Sequence, residues 1–241
     1  MGISIRPVMK NAVRSSVLCS AVWRQRMHGE LLNLTVLYAD TTLVVVDKPG
    51  GLLSVPGRSP ENKDCVTSRI KQLYPDCINQ PSVHRLDMHT SGLLVLALTA
   101  DAHRNLSRQF ERREVEKRYI AVLDGLITQE AGAIRLSFRL DTDNRPHQIY
   151  DPVRGKPGTT FWKKLRIFEG KTWVEFAPLT GRTHQLRLHA AHALGLNCPI
   201  VGDRLYGKGV EGERMLLHAS SLSFRHPDTG QKMNFDSSPP F

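Results

Sequence analysis

The stretch that decides the fold lies at residues 84–94 and reads His-Arg-Leu-Asp-Met-His-Thr-Ser-Gly-Leu-Leu. It places one carboxylate, that of Asp87, between a basic pair and a turn of small residues, and it continues into an apolar run at residues 93–98. A nearly continuous apolar run of this length is typical of a buried central strand. We therefore predict a strand at residues 92–98. Taken alone, Asp87 is as well explained by a surface ion pair with Arg85 as by an active site.

The segments on either side of this strand predict a mixed α+β domain. Residues 34–38 and 42–46 are β-branched and apolar, and the short link between them indicates a hairpin. Helical spacing of apolar residues predicts helices at 66–74, at 100–114 with Thr99 as the N-cap, and at 183–194. Further strands are predicted at residues 117–123, 133–138, 158–168, 171–177 and 215–224. Because strands outnumber helices and do not alternate with them, we predict an α+β fold with a mixed sheet.

The composition indicates a globular protein with an affinity for polyanions. The 241 residues include 33 Lys and Arg against 23 Asp and Glu, which gives a formal net charge of +10 and a pI near 9.7. Hydrophobic residues make up 40% of the chain, enough for a sizeable core. A positive surplus of this size favours phosphate-rich partners such as nucleic acids, although merely basic soluble proteins share it.

The cysteines and the hydropathy pattern indicate a soluble protein of a reducing compartment. The four cysteines, at positions 19, 65, 77 and 198, have neither the spacing of a zinc site nor that of a disulfide framework. No apolar run approaches the roughly 18 residues of a membrane-spanning helix. We therefore expect ordinary thiols, no membrane association and, in a bacterium, a cytoplasmic location.

The first 31 residues differ in composition from the rest of the chain. Residues 1–29 contain five Lys or Arg and no acidic residue. That composition resembles an organelle transit peptide, but a start codon upstream of the natural one, with Met27 as the natural first residue, explains it better. We predict a basic, poorly ordered extension at residues 1–31 and a single domain at residues 32–241.

Nucleotide cofactors and metal ions find little support in the sequence. There is no Gly-x-x-x-x-Gly-Lys-Ser/Thr segment and no Gly-x-Gly-x-x-Gly segment that follows a strand. His184, His189 and His192 crowd one predicted helix, but no acidic residue occurs between Glu175 and Asp203 to complete a ligand set. We therefore expect neither a cofactor nor a metal ion.

Two further side chains are candidates for a site, although each also has an ordinary structural explanation. Arg182 precedes a predicted helix, where a guanidinium can hold a carboxylate ionised, yet a surface arginine would occupy the same place. Tyr119 shares a strand face with Ala121, as a core tyrosine with a hydrated hydroxyl also would. The helix at residues 100–114 has a basic face, either solvated or in contact with phosphate, formed by Arg104, Arg108, Arg112 and Arg113.

Together these segments resemble the signature motifs of the RluA-type pseudouridine synthases. The matching segments are, in chain order, His84-Arg85-Leu86-Asp87 with Thr90-Ser91-Gly92, then Lys117-Arg118-Tyr119, and then Gly181-Arg182-Thr183-His184-Gln185-Leu186-Arg187. The resemblance runs from about residue 34 to the C-terminus and includes residues 47–52, 199–206 and 216–219. It implies the pseudouridine synthase fold, with a largely antiparallel mixed central sheet, flanking helices and an RNA-binding cleft, and without the S4 domain that some members carry.

The resemblance also implies roles for particular residues. Asp87 would be the catalytic carboxylate, Arg182 would pair with it, and Tyr119 would stack on the target base and is a candidate to remove the C5 proton. Arg85 would fill the space that the flipped base leaves. The other implied RNA contacts are His84, Arg108, Arg112 and Arg187. No cofactor is implied, because the isomerisation has no redox step.

The short, single-domain members of this family suggest the substrates. Resemblance to them implies a monomer that converts uridine 32 of the tRNA anticodon loop and uridine 746 of large-subunit rRNA to pseudouridine. Three alternatives are a synthase for another tRNA or rRNA uridine, an RNA-binding homologue without activity, and a metal-dependent nuclease or hydrolase. The intact Asp87, Tyr119 and Arg182 argue against the second, and the lack of acidic residues near the histidines argues against the third.

Overall fold

The computed structural model describes residues 34–241, which form one compact unit. The predicted basic extension and the candidate start at Met27 lie outside the described residues. Within residues 34–241, no helix is long and apolar enough to cross a membrane.

Ten strands, three α-helices and a short 3-10 helix make up the described part of the chain. The strands are β1 (Thr35–Ala39), β2 (Leu43–Lys48), β3 (Ser91–Ala97), β4 (Glu116–Leu123), β5 (Ala131–Leu140), β6 (Gln148–Tyr150), β7 (Lys156–Phe168), β8 (Lys171–Pro178), β9 (Leu217–Arg225) and β10 (Lys232–Asp236). The α-helices are α1 (Val66–Leu73), α2 (Ala100–Glu111) and α3 (Gln185–Ala191), and the 3-10 helix is Pro60–Lys63.

The strands form one mixed sheet. Their order is β1-β2-β3-β9-β4-β8-β7-β5-β6, and β10 pairs with β9 beside this path. Neighbouring strands are antiparallel, with the exception of β3 and β9, which run parallel. The prediction of an α+β fold with a mixed, largely antiparallel sheet is therefore confirmed.

Strand β3 lies at the centre of the hydrophobic core, as its sequence predicts. All seven of its residues are buried. Its alternate side chains enter two different clusters: Leu94 and Leu96 pack with α1, whereas Leu93 and Val95 pack with α2. A strand that is covered on both faces has no polar face to expose, which explains the continuous apolar run.

Gly92 makes the parallel pairing of β3 with β9 possible. The two strands meet at Ser91 and His218 and at Gly92 and Ala219. A Cβ on Gly92 would collide with the backbone of Ala219, and the φ of Gly92 is +110°, a conformation that favours glycine. The glycine of the opening stretch therefore fixes how the segment that carries Asp87 enters the sheet.

Helix α2 begins where the sequence predicts. The Oγ1 of Thr99 accepts a hydrogen bond of 3.3 Å from the backbone N–H of Ala102, which is an N-cap. The helix ends at Glu111 rather than at residue 114, because Arg113 adopts a left-handed conformation with φ 61°.

Helix α3 is shorter than the prediction of residues 183–194. His184 has a left-handed φ of 55°, so the helix begins only at Gln185. The side chain of Gln185 binds the preceding loop: its Oε1 accepts hydrogen bonds from Thr180 Oγ1 at 2.7 Å and from the N–H of Arg182 at 3.0 Å. Arg182 consequently lies in a loop and not at a helix start.

Candidate active site

A cleft of about 1080 Å³ opens where several segments of the chain meet. They include helix α1, the loop at residues 82–87, the C-terminal end of α2, strand β4, and residues 178–187. The three segments that carry the motifs therefore meet at one place. Six cationic side chains and two carboxylates line the cleft: Lys71, Arg85, Arg113, Lys117, Arg182 and Arg187, and Asp87 and Glu111.

Asp87 presents its carboxylate to this cleft from a backbone that is fixed on both sides. Its side chain is 29% exposed. Its carbonyl accepts a hydrogen bond from the N–H of Thr90 at 3.1 Å. The buried Ser54 bonds both backbone groups of Leu86, donating to its carbonyl at 2.7 Å and accepting from its N–H at 3.0 Å. The one carboxylate of the opening stretch is thus accessible and held in place.

Lys48 ties the loop after β2 to the turn that carries Asp87. The Nζ of Lys48 donates to the carbonyls of Pro49 at 2.9 Å, Leu52 at 2.8 Å and Met88 at 3.0 Å. Its side chain is fully buried. Burial lowers the pKa of Lys48 to about 7, against the attraction of the nearby carboxylates, that of Asp87 first. Residues 47–52 stood out in the sequence only as part of the resemblance, so this contact was missed.

Arg187 is the charge partner of Asp87. Its Nη1 lies 3.8 Å from Oδ2 of Asp87, while Nε and Nη2 donate to the two carboxylate oxygens of Asp203 at 2.7 and 2.6 Å. Arg187 is 4% exposed and Asp203 is fully buried. Burial alone would raise the pKa of Asp203, but the hydrogen bonds from Arg187 hold it below its usual value.

Two sequence predictions about arginines are therefore wrong. Arg182 does not pair with Asp87. The residue lies exposed in the loop before α3, and its Nε donates to the carbonyl of Pro157 at 3.1 Å. Arg187 is not a surface contact for phosphate, because its guanidinium is buried and taken up by two carboxylates. Asp203, which completes this cluster, was missed, although it ends the long acid-free run of the sequence.

Tyr119 lines the cleft from β4 and is buried. Burial, and to a smaller degree the charge of Asp87, raises the pKa of Tyr119. A raised pKa opposes the loss of the phenolic proton, so the environment does not favour the suggested role as a base in the free protein. The residue still lines the cleft, so it borders the space that a bound base would enter.

His84 and Arg85 differ in their surroundings although they are adjacent. The ring of His84 stacks on that of Phe110, with centroids 4.4 Å apart, and its Nε2 accepts a hydrogen bond of 3.2 Å from the N–H of Val95. Burial, with the charge of Lys117, lowers the pKa of His84 to about 3. Arg85 is exposed in the cleft and forms no hydrogen bond or ion pair with another residue of the described range.

Arg108 and Arg112 lie outside this cleft. Both are exposed and line a second, smaller groove of about 440 Å³, together with Arg225. Of the basic face predicted for the helix, only Arg113 reaches the main cleft. The predicted RNA contacts of Arg108 and Arg112 would therefore involve a different part of a bound RNA.

The histidines of the predicted metal-site alternative are separated from one another. The Nδ1 of His184 is bonded to the hydroxyl of Tyr206 at 2.8 Å, and the buried ring of His189 tilts against Phe138. Across residues 34–241, no group of three or more His, Cys, Asp or Glu side chains could hold a metal ion.

The arrangement combines three features with different chemical uses. An accessible carboxylate, that of Asp87, can act as a nucleophile or accept a proton. A buried guanidinium stabilises its charge, and an aromatic ring beside it can support a planar base. The cationic wall suits a polyanionic ligand. A reaction on a base within a nucleic acid uses all three.

Comparisons with known proteins agree with this chemistry. Residues 42–192 match the model of the family described as RNA pseudouridylate synthase. A protein of Yersinia pestis named dual-specificity RNA pseudouridine synthase RluA is 45% identical over 206 residues, which cover 84% of this chain and 97% of that protein. The protein of the same name from Haemophilus influenzae is 43% identical over 212 residues, which cover 86% and 94% of the two chains.

Solved structures extend the agreement to the fold. Human RNA pseudouridylate synthase domain containing 1 superposes with a TM-score of 0.69 and 29% identity, over 88% of this chain and 86% of that one. Human RNA pseudouridylate synthase domain containing 4 gives a TM-score of 0.66 and 26% identity, over 94% and 93% of the chains. The resemblance inferred from the motifs is confirmed: the chain belongs to the RNA pseudouridylate synthase family and is an RluA-type enzyme, an isomerase that converts uridine in RNA to pseudouridine.

Proposed function

We propose that this synthase acts on two kinds of RNA, with Asp87 as the reacting carboxylate. The observation that carries the proposal is the position of Asp87, which is accessible in a cationic cleft and paired with the buried Arg187. The relatives from Yersinia pestis and Haemophilus influenzae are named dual-specificity enzymes. That name supports two substrates, and the motif resemblance supports the tRNA anticodon loop and large-subunit rRNA, at uridines 32 and 746.

The reaction detaches and reattaches one base without any change in composition. The bond between N1 of uracil and C1′ of ribose breaks, the base turns, and C5 forms a new bond to C1′. The proton on C5 leaves and N1 gains one, so atoms and electrons balance without a cofactor. Asp87 can serve this sequence by attacking C1′, by attacking C6 of the ring, or by taking a proton from the sugar. Each route requires the carboxylate to be ionised.

Arg187 is proposed to hold Asp87 ionised and oriented. Asp203 binds one edge of the guanidinium in bidentate geometry, which fixes the plane of the group and directs Nη1 toward Asp87. When RNA closes the cleft and water leaves, this pair is expected to strengthen because the local dielectric falls. Lys48 supports the same carboxylate indirectly, by holding the carbonyl of Met88.

The target base must leave its stack before it can react, at a cost of about a few kcal/mol. We propose that the flipped base lies on the ring of Tyr119 and that Arg85, which is exposed in the cleft, takes its place in the RNA. His84 contributes by shaping the wall, and Arg108 and Arg112 contact phosphates of a more distant RNA segment from the second groove.

The remaining features of the proposal concern the protein as a whole. We propose that residues 32–241 form a single catalytic domain, supported by the compact unit at residues 34–241. We further propose that the protein acts as a monomer, as the resemblance to the short family members implies, and that it works in the bacterial cytoplasm, which the bacterial origin of both RluA relatives supports.

The substrate proposal is tested by mapping pseudouridine in tRNA and in large-subunit rRNA from a strain that lacks the gene and from its complemented parent. We expect loss at one uridine of the anticodon loop and at one uridine of the rRNA, with both restored by the wild-type gene. Loss in only one of the two RNAs would refute dual specificity, and loss at other uridines would reassign the substrates.

A further inference from the structure

Lys117 is a cation of the cleft wall without a partner in the described part of the protein. It lies on β4 two residues before Tyr119, so both side chains are on the same face of the strand, and both line the cleft. Its Nζ is 5.8 Å from the centroid of the Phe110 ring. Within residues 34–241 it donates no hydrogen bond and forms no ion pair.

This lack of a partner distinguishes Lys117 from the two other buried cations at the site. Lys48 donates to three carbonyl oxygens, and Arg187 is bound by Asp203 and faces Asp87. Burial lowers the pKa of Lys117, and no carboxylate opposes this effect. A partly desolvated ammonium without a counter-charge is unfavourable. The counter-charge of the Lys117 ammonium must therefore come from a bound ligand.

The surroundings of Lys117 leave room for an anion and supply no ion-pair partner within residues 34–241. Gly181 lies beside the ammonium: a Cβ built on this glycine would be 3.7 Å from Nζ, and the glycine leaves that space without a side chain. His84 is held neutral by its lowered pKa. Glu111 also lines the cleft, but it forms no ion pair with Lys117.

We infer that the ammonium of Lys117 binds a phosphate oxygen of the target nucleotide or of its immediate neighbour, and so positions the uracil over Tyr119. The inference rests on the proposed function, since it requires RNA in this cleft. Two residues along a strand span about 7 Å, which is the scale of a single nucleotide. A phosphate at Lys117 and a base at Tyr119 can therefore belong to one flipped nucleotide. Lys117 is on this view a binding and positioning residue.

The test compares Lys117→Met with Arg118→Met. Methionine keeps the apolar contact with Phe110 and removes the charge. Arg118, the next residue on β4, is ion-paired with Glu175 at 2.8 Å outside the cleft, so its variant removes one charge from the same strand without touching the site. RNA affinity is measured over a range of salt concentrations, and single-turnover pseudouridine formation is measured at saturating enzyme.

We expect Lys117→Met to weaken RNA binding about tenfold and to reduce the slope of log K against log salt by about 0.7 to 1, the value for one lost phosphate contact. The saturating rate should stay within about threefold of wild type, and Lys117→Arg should restore the salt slope. Arg118→Met should change neither the RNA affinity nor the saturating rate by more than about twofold. Unchanged affinity and slope in Lys117→Met would overturn the inference, as would a loss of saturating rate at unchanged affinity.

A second measurement tests the same contact from the side of the RNA. Single phosphates around the target uridine are replaced by neutral methylphosphonates, and binding to the wild-type protein is measured. One replacement next to the target should weaken binding by about as much as Lys117→Met, and should have no further effect in that variant. If no flanking phosphate behaves in this way, the inference is wrong. A wild-type protein that forms no pseudouridine in either RNA would instead refute the proposed function.

Discussion

The guanidinium of Arg187 bridges two carboxylates of different exposure: it is 3.8 Å from that of Asp87, which opens onto the cleft, and is bound bidentately by that of Asp203, which is fully buried. Two hydrogen bonds to Asp203 fix the plane of the guanidinium, and the third nitrogen is left for Asp87. The guanidinium that faces Asp87 is thus held by a contact that lies outside the cleft.

Replacement of Arg187 by lysine should reduce the single-turnover rate at saturating RNA by about a hundredfold or more. Lysine keeps the charge but cannot bind Asp203 in bidentate geometry, so its charge is no longer directed at Asp87. The matched control is Arg182→Lys, which should retain the saturating rate within about threefold because the side chain of Arg182 donates to the carbonyl of Pro157 and not to Asp87. If the Arg182 variant lost the saturating rate and the Arg187 variant kept it, the result would instead support the pairing of Arg182 with Asp87 that the sequence suggested.

Replacement of Lys48 by methionine should lower both stability and activity. Three carbonyls would lose their donor, and each buried unsatisfied group costs about 1–3 kcal/mol. The free energy of unfolding is measured by urea denaturation, with the exposed Lys63→Met as the control, for which a change within about 0.5 kcal/mol is expected. Equal stability of the two variants would show that the contacts of Lys48 do not support the fold.

The wild-type protein and Lys48→Met also test how the free energy of unfolding depends on pH. The pKa of Lys48 is lowered from 10.5 to about 7 in the folded protein, so between these values the unfolded chain binds more protons. Stability attributable to Lys48 should therefore rise with pH from about 7 to 10, by at most about 1.4 kcal/mol per pH unit. The difference in unfolding free energy between wild type and Lys48→Met should show this rise. A difference that is constant with pH would contradict the lowered pKa.

Two variants of Tyr119 separate the contribution of its ring to RNA binding from that of its hydroxyl. Tyr119→Phe should bind RNA within about threefold of wild type, because the face that supports the base is retained. Tyr119→Leu should bind about tenfold or more weakly, as base stacking on an aromatic ring contributes about 1–3 kcal/mol. Equal affinities of the two variants would show that stacking on Tyr119 does not contribute to binding.

Removal of divalent metal ions should leave the reaction intact. The isomerisation needs no Lewis acid, and within residues 34–241 no group of three suitable side chains could hold a metal. Wild-type protein and a short RNA that folds in monovalent salt, assayed with a strong chelator, should give an unchanged single-turnover rate. A loss of activity that zinc or magnesium restores would revive the hydrolase-like alternative.

The sequence predicted those features of the fold that depend on local patterns. The buried strand β3, the hairpin of β1 and β2 and the N-cap at Thr99 follow from periodicity and from residue type, and the structure confirms them. The short strands β6 and β10 were missed. Each pairs with the strand directly before it in the chain, β5 or β9, and β6 has only three residues, too few for a period-2 pattern.

The structure brings the three motifs together at one cleft, but the charge partner of Asp87 differs from the one that the sequence suggested. Which arginine faces Asp87 depends on where α3 begins. The first residue of α3, Gln185, is held by hydrogen bonds of its side chain to Thr159 and Thr160 of β7 and to the loop before the helix. The inward direction of Lys48 likewise depends on Met88, forty positions later in the chain. Neither contact has a signature in the local sequence.

The most direct test of the account is the single-turnover rate of Asp87→Asn on an RNA that the wild-type protein modifies. Asparagine keeps the size of the side chain and removes the charge, so phosphate contacts are retained while the reacting carboxylate is lost. We predict a rate at least about a thousandfold below wild type, with RNA affinity within about tenfold. Pseudouridine formation at the wild-type rate would contradict the assignment of Asp87.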